Sequence, residues 1–196
     1  MTPTLAWAVA GLGLLGLAVE RRRTAIALVT LEAFILAAAS GELLPGLILA
    51  SRGALLAALL YLTVRRTTED RPLPTGASPL VRLAVGITLA LALAALVPPL
   101  GLTSRDAERA ALALIAFGLT MTVLRRSTLH QIAGIVTIEN GVTLAALSSP
   151  GGASLAIELG AAVDLVLVAT VALVLHDRVF TALGTSDAAR LGSLRD

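Results

Sequence analysis

The sequence contains no cysteine, no lysine and few aromatic residues, and each absence excludes a class of protein. Without cysteine the chain can form no disulfide framework and offers no thiolate ligand to zinc or to an iron–sulfur cluster. The two histidines, His130 and His176, are too few and too far apart for a haem or metal site built from this chain alone. Aromatic residues make up 3% of the chain, so it lacks the stacking platforms that bind nucleic acid.

Charged residues are also scarce, at 14% of the 196 residues, whereas hydrophobic residues reach 57% and the mean hydropathy is +0.90. An ordinary soluble domain is about 45–50% apolar and about 25% charged. A chain of this size cannot hide so much apolar surface in its own core, since small domains bury only about two-thirds of what the unfolded chain exposes. The excess predicts a multi-pass protein of the inner, cytoplasmic membrane, with the lipid bilayer as its surroundings.

Seven apolar stretches approach the length of a membrane-spanning helix, which needs about 20 residues to cross about 30 Å of hydrocarbon. The predicted spans are Thr4–Val19, Thr24–Ala39, Gly46–Val64, Leu80–Leu100, Ala107–Leu124, Leu129–Leu147 and Ser154–Leu175. Most connections are short, so consecutive helices are expected to be antiparallel neighbours. The predicted fold is therefore an all-α, polytopic membrane bundle of seven transmembrane helices, the fourth of which ends or kinks at Pro98-Pro99.

The arginines predict how the bundle is oriented. Eleven of them lie in the odd-numbered loops and the C-terminal tail: Arg21, Arg22, Arg23, Arg65, Arg66, Arg71, Arg125, Arg126, Arg178, Arg190 and Arg195. The even-numbered loops hold only Arg105 and, at a helix start, Arg109. Because cytoplasmic loops are enriched in basic residues, the N-terminus is predicted to lie outside and the tail, Asp177–Asp196, in the cytoplasm.

Two segments resemble each other. Arg21–Arg23 precede a helix that carries Val-Thr-Leu-Glu ending at Glu32, and Arg125-Arg126 precede one that carries Val-Thr-Ile-Glu ending at Glu139. Spans one to three and five to seven both begin outside, so the likeness predicts a parallel internal repeat with span four as the return helix. Chance similarity between alanine- and leucine-rich helices is the alternative.

Five ionisable side chains lie inside the predicted spans: Glu32, Arg52, Glu139, Glu158 and Asp164. An ionisable side chain at mid-bilayer costs roughly 2.5–3.5 kcal/mol, so such residues are functional candidates by default. By helical rise, Glu32 and Glu139 lie about 12 and about 16 Å from the cytoplasmic ends of their spans, and Asp164 about 15 Å from the outer end. Glu158 and Arg52 are nearer the outer surface.

These charges have two interpretations. Carboxylates buried in a low dielectric can hold and release protons near neutral pH, which predicts a proton path. That path consists of Glu139, Asp164, Glu32 and Glu158, with His130 extending it toward the cytoplasm. Alternatively the charges serve helix pairing, with Arg52 as the electrostatic partner of Glu158 or Glu32 and His130 as a plain helix cap. No span carries a nucleophile–base pair, a phosphate-binding loop or metal-ligand spacing, so no catalytic, cofactor or metal site is predicted.

The last 90 residues contain a recognisable order of motifs. They are Arg125-Arg126, Glu139-Asn140-Gly141, Glu158-Leu159-Gly160, Asp164, a helix that ends at His176, and the tail Leu191–Asp196. This pattern resembles the small three-helix K subunit of respiratory complex I and the matching subunit of Mrp-type cation/proton antiporters. With seven spans, the whole chain is more similar to component E of the group-four, energy-converting membrane nickel–iron hydrogenases, including formate hydrogenlyase-like complexes.

The resemblance implies roles for three of the carboxylates. Asp164 occupies the place of the acidic residue in the third helix of the K-type subunit, twelve residues before the terminal histidine. Glu139 stands for the glutamate of its second helix. Glu32, ten residues after Arg22, matches the spacing of that helix better, so the equivalent glutamate is one of these two.

The resemblance also implies a division of the chain and a set of partners. Residues 1–66 form a first three-helix unit, 67–104 a cytoplasmic loop and the return helix, and 105–196 a K-subunit-like unit with a cytoplasmic tail. The partners would be antiporter-like and quinone-site-like membrane subunits together with soluble hydrogenase-like subunits. Nickel–iron and iron–sulfur centres would belong to those partners, and this chain would hold none.

We therefore expect a non-catalytic membrane-arm subunit of a group-four hydrogenase-like oxidoreductase that couples electron transfer to proton or sodium translocation. A K-type component of complex I or of an Mrp antiporter is the nearest alternative. A stand-alone small-solute transporter and a pure assembly scaffold belong to different functional classes, and both stay open at this point.

Overall fold

The computed structural model describes residues 2–67, 77–151 and 155–183, and in these ranges the chain is all-α. It contains seven helices there: α1 Pro3–Ala18, α2 Arg22–Ala39, α3 Leu43–Thr67, α4 Pro79–Leu96, α5 Arg105–Leu124, α6 Thr128–Leu147 and α7 Leu155–Leu183. Each of the seven apolar stretches of the sequence corresponds to one helix, which confirms the all-helical fold class.

The outer surface of the bundle is apolar, as expected of a membrane protein. Leu43, Leu80 and Leu96 are each more than three-quarters exposed. In the described ranges, the helices long and apolar enough to cross a bilayer are α3 (over Leu43–Arg65), α4 and α5, and α1 is apolar but only 16 residues long. Charged and amide side chains interrupt the apolar runs of α2 and α6, so length and hydropathy alone do not give seven spans.

Helix ends follow local chemistry. The fourth helix stops at Leu96, as predicted, because Val97 is held extended (φ −76°, ψ 124°) before Pro98-Pro99. At the start of α5 the hydroxyl of Ser104 accepts hydrogen bonds from the backbone N–H groups of Asp106 and Ala107.

The last helix is longer than the sequence predicts. Its apolar stretch was expected to end at Leu175, but α7 continues to Leu183. An apolar run shows only which part of a helix suits hydrocarbon, and the helix continues past it through Asp177 and Arg178, which are exposed. His176, expected at the inner end of the helix, is therefore an internal residue of α7 and is 2% exposed.

The fifth helix is central and packs against α1, α4 and α6. Gly13 of α1 faces Leu114 of α5, and Gly16 faces Met121. Because both pairs follow the same order along the two helices, α1 and α5 run parallel. The second helix packs on α6 and the third on α7. Each helix of the first predicted repeat thus contacts its counterpart in the second.

Helices α5 and α6 approach so closely that their backbones touch. A Cβ atom on Gly134 would lie 2.5 Å from Thr122 Oγ1 and 2.7 Å from the carbonyl oxygen of Gly118. Small residues at such a crossing allow the contact that holds helices together in a membrane, where no hydrophobic force acts between them. This crossing fixes α6, and with it Glu139 and Asn140, against the centre of the bundle.

We predict that Gly134→Ala lowers the unfolding free energy by about 1–3 kcal/mol, because the backbone of α5 cannot yield to the added methyl group. Thermal unfolding of the detergent-solubilised protein measures the effect. Gly11→Ala is the matched control, since a Cβ there meets no atom within 4 Å. Equal behaviour of the two variants would contradict the close crossing.

Candidate functional site

A polar network lies inside the bundle where α2, α3 and α6 meet. Its members are Glu32 on α2, Arg52 on α3, and Glu139, Asn140 and Thr143 on α6. Glu32 and Asn140 are completely buried, and Arg52 is 4% exposed. We call these five residues the polar network.

Arg52 and Asn140 connect the network. The Nη2 of Arg52 donates to Asn140 Oδ1 at 3.0 Å, and its Nη1 lies 3.4 Å from Thr143 Oγ1 and 3.7 Å from Glu139 Oε1. The amide nitrogen of Asn140 in turn donates to Glu32 Oε2 at 2.9 Å. Asn140 therefore bridges the guanidinium of Arg52 and the carboxylate of Glu32.

The helical register of α6 explains why its three members converge. Thr143 lies three residues after Asn140 and four after Glu139, so each of the two shares a helix face with Thr143. Asn140 is the innermost of the three, while the side chain of Glu139 keeps 24% of its surface exposed. The network thus extends from a fully buried carboxylate at Glu32 to a partly accessible one at Glu139.

The structure shows which carboxylates lie near Arg52. Among the described side chains, Arg52 forms an ion pair with Glu139 and reaches Glu32 through Asn140. The predicted alternative, Glu158, belongs to α7, but its side chain lies outside the described residues.

Asp164 lies apart from the interior of the network. It is exposed on α7, flanked by Val163 (58% exposed) and Leu167 (60% exposed). It is nevertheless close enough for its charge to act on Glu139. An exposed carboxylate on an apolar helix face is unfavourable in lipid.

His130 is not placed beside the network. It lies ten residues before Asn140 on α6, about 15 Å along the helix axis, among positive charges at the arginine-rich end of the bundle. Arg22, Arg82 and Arg125 all lie near enough for their charges to act on it. This position, toward the arginine-rich end, is where the sequence placed His130 as an extension of the path, and its role stays a prediction.

Arg125 joins two helices at this end. Its Nη2 donates to the carbonyl oxygens of Gly16, Leu17 and Val19 at the C-terminus of α1. A cation at that place favours the helix, because the last carbonyls carry partial negative charge. Burial, and then the neighbouring charge of Arg82, lower the pKa of Arg125 to about 10, while Glu20 opposes the shift.

Two cavities adjoin the polar network. An internal one of about 10 Å³, between α2, α3 and α6 and bordered by Arg52 and Asn140, has room for about one water molecule. A larger one of about 470 Å³ opens sideways between α3 and α7, with Arg52 in a wall that is otherwise mainly apolar. Among the described residues, no three His, Cys, Asp or Glu side chains are arranged to hold a metal ion.

The sequence pointed to the charges of the network and missed much of the arginine-rich end. Asn140 was not among the predicted site residues, although it connects the network. Arg82, fully buried and 3.8 Å from Glu20, was not singled out. The available signal was its place as the one basic residue within the apolar run 80–100.

Comparison with known proteins gives little information on function. The chain is 32% identical, over 131 residues, to a protein of Mycobacterium tuberculosis named only as the uncharacterized protein Rv0085. The match covers 65% of this chain and 59% of that protein. No family model matches the chain, and no solved structure matches it significantly.

We predict that Asn140→Leu lowers the unfolding free energy by about 1–3 kcal/mol, because the carboxylate of Glu32 loses its amide donor while buried. Thr143→Val, which removes only the 3.4 Å contact, is expected to cost less. The double variant Asn140→Leu with Glu32→Leu should lose less unfolding free energy than the sum of the losses in the two single variants. Strict additivity in chemical unfolding would show that the bridge does not couple the two residues.

Proposed function

We propose that this chain is a non-catalytic membrane-arm subunit of a group-four nickel–iron hydrogenase-like, complex I-related oxidoreductase. Its polar network would contribute buried charges to the coupling of electron transfer to proton or sodium translocation. The observation that carries the proposal is the connected path from Glu32 through Asn140 and Arg52 to Glu139. Electron transfer and every metal centre would belong to partner subunits.

The charge balance of the network supports a role in proton handling. Arg52 supplies one positive charge, whereas Glu32 and Glu139 can supply two negative charges. A low dielectric disfavours an uncompensated buried charge. Because Arg52 compensates one carboxylate, the other carboxyl group can hold a proton and later release it. Moving that proton would change which carboxylate Arg52 stabilises.

The outward position of Asp164 supports membership of a complex. The same face of α7 exposes Val163, Leu167 and Val171 by half or more. An antiporter-like or quinone-site-like membrane subunit that carries a basic side chain at this depth would neutralise Asp164 and cover its apolar neighbours.

Seven spans, an external N-terminus and a cytoplasmic tail complete the proposal, in the cytoplasmic membrane. The polar residues that reduce the hydropathy of α2 and α6 are largely buried in the bundle, so these helices need not offer them to lipid.

We predict that Glu32→Gln and Glu139→Gln each leave the complex assembled with its redox rate retained, but reduce the ions moved per electron several-fold. The amides keep the size and the acceptor oxygen while removing the exchangeable charge. Ion uptake and redox rate, measured together in inverted membrane vesicles of the native cells, give the ratio.

Glu42→Gln, at an exposed position between α2 and α3, is the control and should keep the ratio unchanged. A normal ratio in both network variants would refute the coupling role. A normal ratio with a reduced yield of complex would identify the network as an assembly scaffold.

A further inference from the structure

The arginine-rich end of the bundle contains buried hydrogen-bond donors that the proposed function does not use. Arg82 is completely buried, and in the described part of the chain none of its guanidinium nitrogens has a hydrogen-bond partner. Ser127 and His130, 5% and 4% exposed, likewise have a hydroxyl and two ring nitrogens without partners there. Arg82 lies 3.8 Å from Glu20, which follows the α1 carbonyls that Arg125 contacts, and Ser127 and His130 come shortly after Arg125 in the chain, so all three lie at this end of the bundle. We call Arg82, Ser127 and His130 the donor cluster.

The backbone adds positive potential to the same place. Arg82 lies in the first turn of α4, and Ser127 and His130 are at the start of α6. The N-terminus of a helix carries partial positive charge and unpaired N–H groups, so both helices favour an anion there. Ser127 is the N-cap of α6, yet its side chain makes no capping hydrogen bond and is available to another acceptor.

The negative charge described near the cluster is small. Glu20 lies 3.8 Å from Arg82, which is too long for a hydrogen bond, and its side chain is 42% exposed. Arg82 and Arg125 both interact electrostatically with the carboxylate of Glu20. Arg125 also donates hydrogen bonds to the carbonyls of α1. Glu20 therefore leaves the guanidinium of Arg82 without a hydrogen bond.

Beside the cluster the surface is apolar. Arg82 is flanked in the sequence of α4 by exposed apolar residues: Leu80 (78% exposed), Val81 (49%) and Val85 (42%). A ligand for this site therefore combines an anionic group with hydrocarbon. Acidic phospholipids have both, and they are abundant in the leaflet that arginine-rich ends face.

We propose that the donor cluster binds the phosphate of an acidic phospholipid headgroup, with the acyl chains along α4. The phosphate oxygens would accept hydrogen bonds from Arg82, Ser127 and His130 and would displace the carboxylate of Glu20. The site is independent of the coupling role, since it shares no residue with the polar network.

Delipidated protein in detergent tests the proposal with three probes: dioleoyl phosphatidylglycerol, dioleoyl phosphatidylcholine and inorganic phosphate. Thermal unfolding measures stabilisation, and native mass spectrometry counts bound lipid. We expect phosphatidylglycerol to bind at least fivefold more tightly than phosphatidylcholine, with one molecule retained. Equal binding of the two lipids would overturn the site, and equal stabilisation by inorganic phosphate would assign it to the free ion instead.

Two variants should change the affinity in opposite directions. Arg82→Gln is expected to weaken phosphatidylglycerol binding at least fivefold, and Glu20→Gln to strengthen it, because the competing carboxylate is removed. Arg126→Gln, an exposed arginine at the same end, is the control for general charge. A loss in Arg126→Gln as large as in Arg82→Gln, or no gain in Glu20→Gln, would contradict the proposal. Should Arg82→Gln fail to fold, His130→Asn provides the same readout.

Discussion

The guanidinium of Arg52 is the charge around which the interior of this bundle is organised. It contacts Glu139, Asn140 and Thr143 on α6 and, through Asn140, the carboxylate of Glu32 on α2. A charge buried this deeply must be compensated, because the loss of hydration exceeds what a single distant partner returns. Three helices are thereby held together by polar contacts in a protein whose outer surface is mostly apolar. A polar interior surrounded by apolar faces is what allows ionisable groups to persist in a bilayer.

Close packing makes this arrangement precise. Gly118 and Gly134 bring the backbones of α5 and α6 into contact, and Gly53 brings α3 to within 2.8 Å of Ala33 on α2, measured from the position a Cβ would take. Larger residues at these crossings would separate the helices that carry Arg52, Glu32 and Asn140. The small residues and the buried charges therefore depend on each other. Packing alone would leave the carboxylates unpaired, and the charges alone would not set the distance between helices.

The helices could be predicted from the sequence, and the contacts between them could not. Apolar runs, arginines and Pro98-Pro99 mark where helices begin and end, because these signals are local in the chain. Arg52 and Asn140, by contrast, are 88 residues apart, and nothing local in the sequence shows which residues face each other across helices. The position of a residue along its helix follows from helical rise, whereas the partner of Arg52 depends on the rotation of α6 about its axis.

The proposal that this chain belongs to a larger redox complex is tested most directly by isolating it with its partners. The tagged chain would be purified from its native cells in mild detergent, its bound proteins identified by mass spectrometry, and its metal content measured. The account predicts antiporter-like membrane subunits together with soluble subunits that bear nickel and iron. Iron and flavin without nickel would indicate a complex I-type assembly instead. A metal-free particle that contains this chain alone would contradict the account.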